Sequence, residues 1–375
     1  MALLAERTEL QVEAVRSLVE APGPWTSVYL GLADRDPQGL PVDRSARWHG
    51  LATALLDDGA APDVVAFLGG AVRAEPPGPA VLAAFAADDG PVRLFRVPRL
   101  PEPDSSCSGP LPRVLPLLGW LQDHPPHVLV VTDRTGADLE TFTHGVYRRR
   151  TVVGPDDEIE RNAPGGWAQG RYQHRAEDSW QHNAGQVAEA VAAEVRESGA
   201  RLVVIAGDVR AVQLLEEQAP PWVRKETAWR HITGGRSADG SQGTRPDRVE
   251  DVVQEFVDEE VAALLGRFEE ERAPGGIGVE GVPQTLDALA RGQVAALLLV
   301  PGALEGRTAW FGPDPSHVLA DGDQLPPPDW GPALRAPLAD VAVRAALGSR
   351  GQVWLVPDGL PGSPAEGIGA FCRFR

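Results

Sequence analysis

This chain of 375 residues predicts a mixed α/β fold (α/β with α+β character) arranged in three domains, and three observations predict it. Short β-branched runs alternate with segments of helical periodicity, an order that builds α/β domains with some parallel strand pairing. Proline-rich stretches, Glu75 to Pro79, Pro98 to Pro116 and Pro125-Pro126, interrupt the alternation as loops and set a boundary near residue 124. The length exceeds one ordinary domain and suits two or three, each with its own core. The expected domains are 1–124, 125–272 and 273–375, each a mixed sheet flanked by helices.

The elements follow in order. Met1 to Glu20 reads as an amphipathic helix ending near Ala21-Pro22-Gly23. Its charges at Glu6, Arg7, Glu9, Glu13, Arg16 and Glu20 break up any apolar core of a signal peptide. Thr26 to Leu32 is strand-like, and Trp48, Leu51, Ala52 and Leu55 fall at helical spacing within Arg44 to Leu56. In the second segment, His127 to Asp133 and Ala137 to Thr143 form two strands joined by the turn Arg134-Thr135-Gly136. A long polar helix is expected from about Trp167 to Ser198, then a β-branched strand over Arg201 to Ala206 that enters Gly207-Asp208, where another helix starts. Thr233 to Arg245 is a loop by composition, rich in Gly, Ser, Asp and Thr. Pro246 to Glu271 is a charged helix with one apolar face, Val249, Val253, Phe256, Val257, Val261, Leu264 and Phe268 among its members, able to bridge two domains. The last segment reads as helix (Val282 to Arg291), strand (Ala295 to Val300), a proline-rich loop, helix (Ala339 to Leu347) and two closing strands (Val353 to Pro357, Ala370 to Phe374).

Composition narrows the functional classes. Hydrophobic residues at 43% and charged residues at 23% match folded soluble proteins rather than disordered ones. The richest apolar run, Val294 to Val300, is far short of the roughly 20 residues of a membrane span, so no membrane partner is expected. Cys107 and Cys372, the two cysteines, fit a reducing compartment and place the protein in the cytoplasm. Lys225 is the sole lysine, so arginine is the general basic residue here and its meaning rests on position. A net charge of −18 opposes nucleic-acid binding unless arginines are concentrated locally, because phosphate binding draws on clustered positive charge.

Such a concentration exists. Arg148-Arg149-Arg150 and Arg161 precede Gly165-Gly166-Trp167-Ala168-Gln169-Gly170-Arg171-Tyr172-Gln173-His174-Arg175. Paired glycines before a helix allow close backbone approach, and helix N-termini favour anions. Arg171 and Arg175, four apart, share a helical face, with Trp167 and Tyr172 as stacking surfaces for bases. The competing account is a solvated charged helix with a glycine-rich start. Other candidates are weaker. His144, His174, His182 and His231 lack metal-ligand spacing, and no metal site is expected. Gly207-Asp208 has neither a dinucleotide fingerprint nor a Walker sequence around it and reads as a strand end. Ser105, Ser106 and Cys107 lack a nucleophile elbow. Asp156-Asp157-Glu158 with Glu160 reads as a solvated acidic loop rather than a carboxylate pair for acid/base work.

Gly165-Gly166, then Arg171-Tyr172 and Arg175, resembles the central domain of the archaeal and eukaryotic class-I release factors and Pelota, where Gly-Gly-Gln opens a long helix bearing an Arg-aromatic pair. Glu366-Gly367-Ile368-Gly369-Ala370-Phe371-Cys372-Arg373-Phe374 is similar to the ending of that superfamily's C-terminal domain. The resemblance covers about residues 125 to 375, leaving the first third without the family's decoding motif. Among bacterial archaeo-eukaryotic release factor-like proteins, the string from Trp167 to Gln173 is most similar to Balon-like actinobacterial ribosome hibernation factors.

That resemblance implies a three-domain release factor/Pelota-like architecture and a monomeric, cytoplasmic partner of the 70S ribosome. It would occupy the A site, direct residues 165–175 toward rRNA at the peptidyl-transferase centre and meet a translational GTPase such as elongation factor Tu. Arg148, Arg149, Arg150, Arg161, Gly165, Gly166, Trp167, Gln169, Arg171, Tyr172 and Arg175 are the expected RNA-binding residues. The departure is Trp167, standing where the release factors carry the glutamine that positions the attacking water. An indole has one donor and no acceptor. A hibernation or stress-protection role without catalytic residue or cofactor follows. The alternative is a peptidyl-tRNA hydrolase or peptide-release factor using Gln169, although a helical step of two residues turns the side chain by about 200°.

Overall fold

The computed structural model describes residues 5–7, 10–20, 23–35, 39–87, 90, 92–98, 100, 104–144, 146–153, 169–236, 246–322 and 325–374, with only the backbone path given at 5–7, 169–178 and 246–247. It divides into two compact units, Met1–Gln122 with Glu260–Arg375, and Asp123–Glu259.

The first unit begins with a five-stranded sheet, β1 (Ala5–Arg7), β2 (Trp25–Gly31), β3 (Val81–Ala87), β4 (Val92–Val97) and β5 (Ser105–Gly109), in the order β1-β4-β3-β2-β5. Helices α1 (Val12–Glu20), α2 (Arg44–Asp57), α3 (Pro62–Ala74) and α4 (Leu115–Asp123) accompany it. Strands β2 and β3 are buried along their whole length, as expected of strands covered on both faces. Val28, Leu30, Leu82 and Ala84 pack with Leu55, Val65 and Leu68 of α2 and α3. The alternate residues Tyr29, Phe85 and Phe95 enter a second core on the opposite face. Asp43 caps α2 by accepting from the backbone N–H groups of Ser45 and Ala46 at 2.9 and 3.1 Å. The proline-rich stretch Pro98 to Pro116, read from the sequence as loop, contains β5. Its small residues, Ser-Ser-Cys-Ser-Gly, give no apolar alternation, yet they pair along β2 as an edge strand.

The remainder of this unit carries β11 (Gly278–Glu280), α9 (Val282–Ala290), β12 (Val294–Leu299), β13 (Thr308–Phe311), β14 (Val318–Ala320), β15 (Leu334–Pro337), α10 (Leu338–Gly348), β16 (Gln352–Leu355) and β17 (Ile368–Cys372). They make a four-stranded sheet, β11-β17-β12-β16, and a three-stranded one, β14-β13-β15. Every residue of α10 from Leu338 to Leu347 is buried, the expected state of a helix that is apolar almost all round. The core that holds Tyr29 and Phe85 also holds Leu297, Val341 and Ala345, so the two ends of the chain share one interior. The Gln122 amide donates to the Leu355 carbonyl at 2.7 Å and accepts from its N–H at 2.8 Å, and the Arg16 Nε donates to the Leu347 carbonyl at 3.0 Å.

The second unit holds β6 (His127–Asp133), β7 (Gly136–Thr143), β8 (Val146–Val153), α5 (Gln169–Ser198), β9 (Leu202–Gly207), α6 (Val209–Gln218), α7 (Pro221–Glu226) and β10 (Ala228–His231). Its sheet runs β10-β9-β6-β7-β8, the first three strands parallel and the last three antiparallel. Val128, Val130, Leu139, Val203 and Ile205 on one face meet Val187, Val191 and Val195 of α5. Helix α8 (Pro246–Glu271) has the predicted bounds, and the division between the units falls inside it. Among the described residues no helix is long and apolar enough to cross a membrane.

Candidate nucleic-acid interface

Strand β8 stands at the free end of the central sheet and is exposed along nearly its whole length. The sequence marks it chiefly by its run of arginines, because an edge strand exposed along most of its length shows little apolar alternation. Its register against β7 sorts the three arginines by face. Arg148 lies opposite Thr141 and Arg150 opposite Leu139, on the side that α5 covers, while Arg149 lies opposite Glu140 on the other side.

On the α5 side the two guanidiniums converge on one carboxylate. Glu194 Oε2 takes the Thr141 hydroxyl at 2.9 Å and Arg148 Nη2 at 3.3 Å, and its Oε1 faces Arg150 Nη1 at 3.6 Å. Arg148 also binds Glu197, one helical turn further along α5, and this contact first of all raises the guanidinium above its ordinary value. On the other side Arg149 approaches Asp138 at 3.9 Å. Asp138 accepts from the Thr151 hydroxyl at 2.7 Å and from Arg236 Nε at 3.1 Å. Partial burial works to raise its carboxyl, but Thr151, Arg236 and Arg149 together outweigh burial and hold it below the usual range. Arg236 reaches Asp133 as well, at 3.1 Å, at the turn between β6 and β7.

That turn is itself tied down. Asp133 accepts from the N–H groups of Thr135 and Gly136 at 2.7 and 3.0 Å. Gly136 has φ +156°, and a Cβ there would sit 2.0 Å from the Val152 carbonyl oxygen. Arg134 lies 4.4 Å over the Trp180 ring of α5 and 3.4 Å from Asp208, which caps α6. Gly207 precedes it with φ +144°, and a Cβ there would strike the Thr132 carbonyl oxygen at 1.9 Å. The Gly-Asp pair that the sequence reads as a strand end is therefore a close β6–β9 approach followed by a helix cap.

The other expected RNA-binding residues divide in two. Arg161, Gly165, Gly166 and Trp167 lie outside the described residues, as do Asp156, Asp157, Glu158 and Glu160. Gln169, Arg171, Tyr172 and Arg175 lie on the first two turns of α5, with Gln169 its first residue. The stretch Thr233 to Arg245, read from the sequence as a loop, lies outside them beyond Arg236. Of the histidines weighed for a metal, His231 pairs with Glu216 at 2.8 Å and His182 with Gln186 at 3.1 Å. Sequence reasoning missed Glu194, Glu197, Asp138 and Arg236. Glu194 and Glu197 at i, i+3 on a helix were a visible signal of a shared face, but not of what that face meets.

Residues 126–274, less than half of the chain, match the profile of bacterial archaeo-eukaryotic release factor family 2. No curated protein matches the chain. Among solved structures it is similar to an archaeal translation termination factor, at 14% identity with 99% of each chain covered and a TM-score of 0.27. It is similar to archaeal Pelota in a ribosome-bound model, at 13% identity with 98% and 95% covered and a TM-score of 0.43. Likewise it is similar to Dom34 of S. cerevisiae, a translation termination-like factor of RNA quality control, at 8% identity with 98% and 92% covered and a TM-score of 0.42.

Proposed function

We propose, from the match of residues 126–274 to the bacterial archaeo-eukaryotic release factor family 2, that the protein is a ribosome-binding translation factor that occupies the A site and protects idle 70S ribosomes without catalysis. The match of residues 126–274 carries this reading, because that segment contains both the Gly165-Gly166 pair and the long helix that starts at Gln169. Trp167 at the third position of the motif supports a binding role over a hydrolytic one, since an indole cannot hold a water as an acceptor. Arg171 and Arg175, on the first turns of α5, are the basic residues that this reading sets against rRNA phosphate. Elongation factor Tu is the GTPase that this reading nominates as a partner, and monomer is the state that suits a tRNA-sized site.

Sedimentation with vacant 70S ribosomes over a salt series tests it, with wild type beside Arg171→Glu/Arg175→Glu. Wild-type binding at low salt that the charge reversal abolishes is the expected result. Absence of wild-type binding even at low salt, where electrostatic attachment is strongest, would overturn the reading. A second reading, peptidyl-tRNA hydrolysis, is favoured by one observation: Gln169, two positions after Trp167, is the first residue of α5. Release of a nascent chain from stalled ribosomes that Gln169→Ala eliminates would establish it in place of the first.

A further inference from the structure

The three arginines of β8 suggest an open phosphate grip, but the structure shows that grip already filled from within. On the α5 side of the strand, Arg148 and Arg150 are matched by Glu194 and Glu197, two charges against two. The two carboxylates are not equivalent. The Glu194 side chain is 9% exposed and fixed by the Thr141 hydroxyl, whereas Glu197 is 63% exposed and touches only the Arg148 end of the row. Arg148 and Arg150 are each about half-exposed, and residues two apart on a strand stand about 7 Å from one another along a straight edge. A guanidinium has five N–H donors, more than Glu194 and Glu197 take up.

Resting on the ribosome-binding reading above, we propose that Glu197 is an internal stand-in for RNA phosphate at Arg148, displaced when β8 meets RNA, while Glu194 remains and holds the Arg148 and Arg150 guanidiniums side by side. An exposed ion pair is weak and exchangeable, so a phosphate of a polyanion competes with it readily. The buried carboxylate stays, since its hydroxyl partner and its surroundings do not travel with the RNA. The partner is RNA rather than an acidic peptide because the two cations lie in line along an edge strand, where a regularly spaced phosphate backbone engages both. The same arrangement reconciles a net charge of −18 with an RNA partner. The patch is neutral until a phosphate replaces Glu197, which lowers adventitious attachment to other nucleic acids.

The test measures binding to vacant 70S ribosomes, and separately to a single-stranded homopolymeric RNA, for wild type, Glu197→Gln, Arg148→Ala, the double variant and Glu189→Gln. Glu189 is an exposed residue of the same helix and gives the same change in net charge. Glu197→Gln is expected to tighten binding about threefold to tenfold at low salt, an effect that fades as salt is raised. Arg148→Ala is expected to weaken binding and to remove the gain from Glu197→Gln, and Glu189→Gln to leave affinity unchanged. Equal tightening by Glu189→Gln, or a gain that persists without Arg148, would reduce the effect to net charge and overturn the proposal. Unchanged or weaker binding by Glu197→Gln, with wild type bound to ribosomes, would overturn it and leave the ribosome reading standing. Ribosomes unbound by wild type while the free RNA shows the expected cycle would sink the ribosome reading alone. Binding of a polyglutamate peptide in place of the RNA, with the same dependence on Glu197, would assign the row to an acidic protein partner and overturn the choice of RNA.

Discussion

Glu194 and Asp340 are buried to the same degree, 7% and 8% exposed, each on a helix packed against a sheet, and they meet that burial in opposite ways. Glu194, in the central unit, has a hydroxyl and two guanidiniums on its oxygens. Asp340, on the first turn of α10, leaves its Oδ1 without a hydrogen-bond partner, and burial pushes its carboxyl up to about 7 against the opposing pull of Arg113. Its neighbours Tyr29 and Cys107 are both raised, first by burial, and each feels the Asp340 charge. One carboxylate is satisfied by cations brought from a neighbouring strand; the other takes up a proton as pH falls below about 7. A buried acid with an oxygen left unpartnered marks a place where packing was favoured over charge, and a buried acid with cations on both oxygens marks a place where charge is held in position.

The largest effect that could break this comparison concerns the cores on which both sites stand. Phe85, fully buried and edge-on to Tyr29 and Phe95, belongs to the unit built from both ends of the chain. Phe85→Ala is expected to destabilise by about 3–5 kcal/mol and Leu139→Ala by about 2–5 kcal/mol. Hydrogen exchange followed through denaturant should show the first variant loosening residues 1–122 and 260–375 together, and the second loosening residues 123–259 alone. If Phe85→Ala loosened the first 122 residues and left 260–375 protected, the shared core would not be a cooperative one.

Titration sharpens the contrast. A carboxyl whose folded value lies near 7, above the ordinary 3.8, binds its proton more tightly in the folded chain than in the unfolded one. Its contribution to stability is therefore complete below about pH 4, declines as pH rises toward 7 and is absent above. Asp340→Asn removes that dependence. Each tenfold difference in proton affinity between the folded and unfolded chain is worth about 1.4 kcal/mol, so the variant should gain up to about 4 kcal/mol over wild type at pH 8 and little or nothing at pH 4. Denaturant titrations at the two pH values measure it, and an equal effect at both would mean that Asp340 bears no burial penalty. The smallest expected change is at Glu194. Because Arg148 and Arg150 are half-exposed and rehydrate when released, Glu194→Gln should lower stability by only about 1–2 kcal/mol, read as a shift in the melting of the central unit. A loss several times larger would mean that the arginine row is part of the core rather than an attachment to it.

Much of this fold was legible from residue order. The periodicity of Val249, Val253, Phe256 and Val257 located α8, the β-branched run before Gly207 located β9, and Gly207-Asp208 marked where α6 begins. β5 and β8 were not legible as strands, one being made of small residues and the other carrying three consecutive arginines at its centre, and both lie at sheet edges where burial imposes little alternation. The basic character of Arg148, Arg149 and Arg150 could be read directly; their neutralisation by Glu194, Glu197 and Asp138 could not.

The sequence by itself determined the helices and strands that carry a clear apolar pattern, α8 and β9 among them, and where arginines and the Gly-Gly pair fall, because propensity and periodicity act over a few residues. Tertiary structure alone decided that the two ends of the chain share one interior, that Glu194 meets an arginine 46 residues away in the sequence, and that Asp340 is buried with an oxygen left over. Register and packing bring those groups together over distances at which local pattern carries no information, and charge has its effect only once its neighbours are in place.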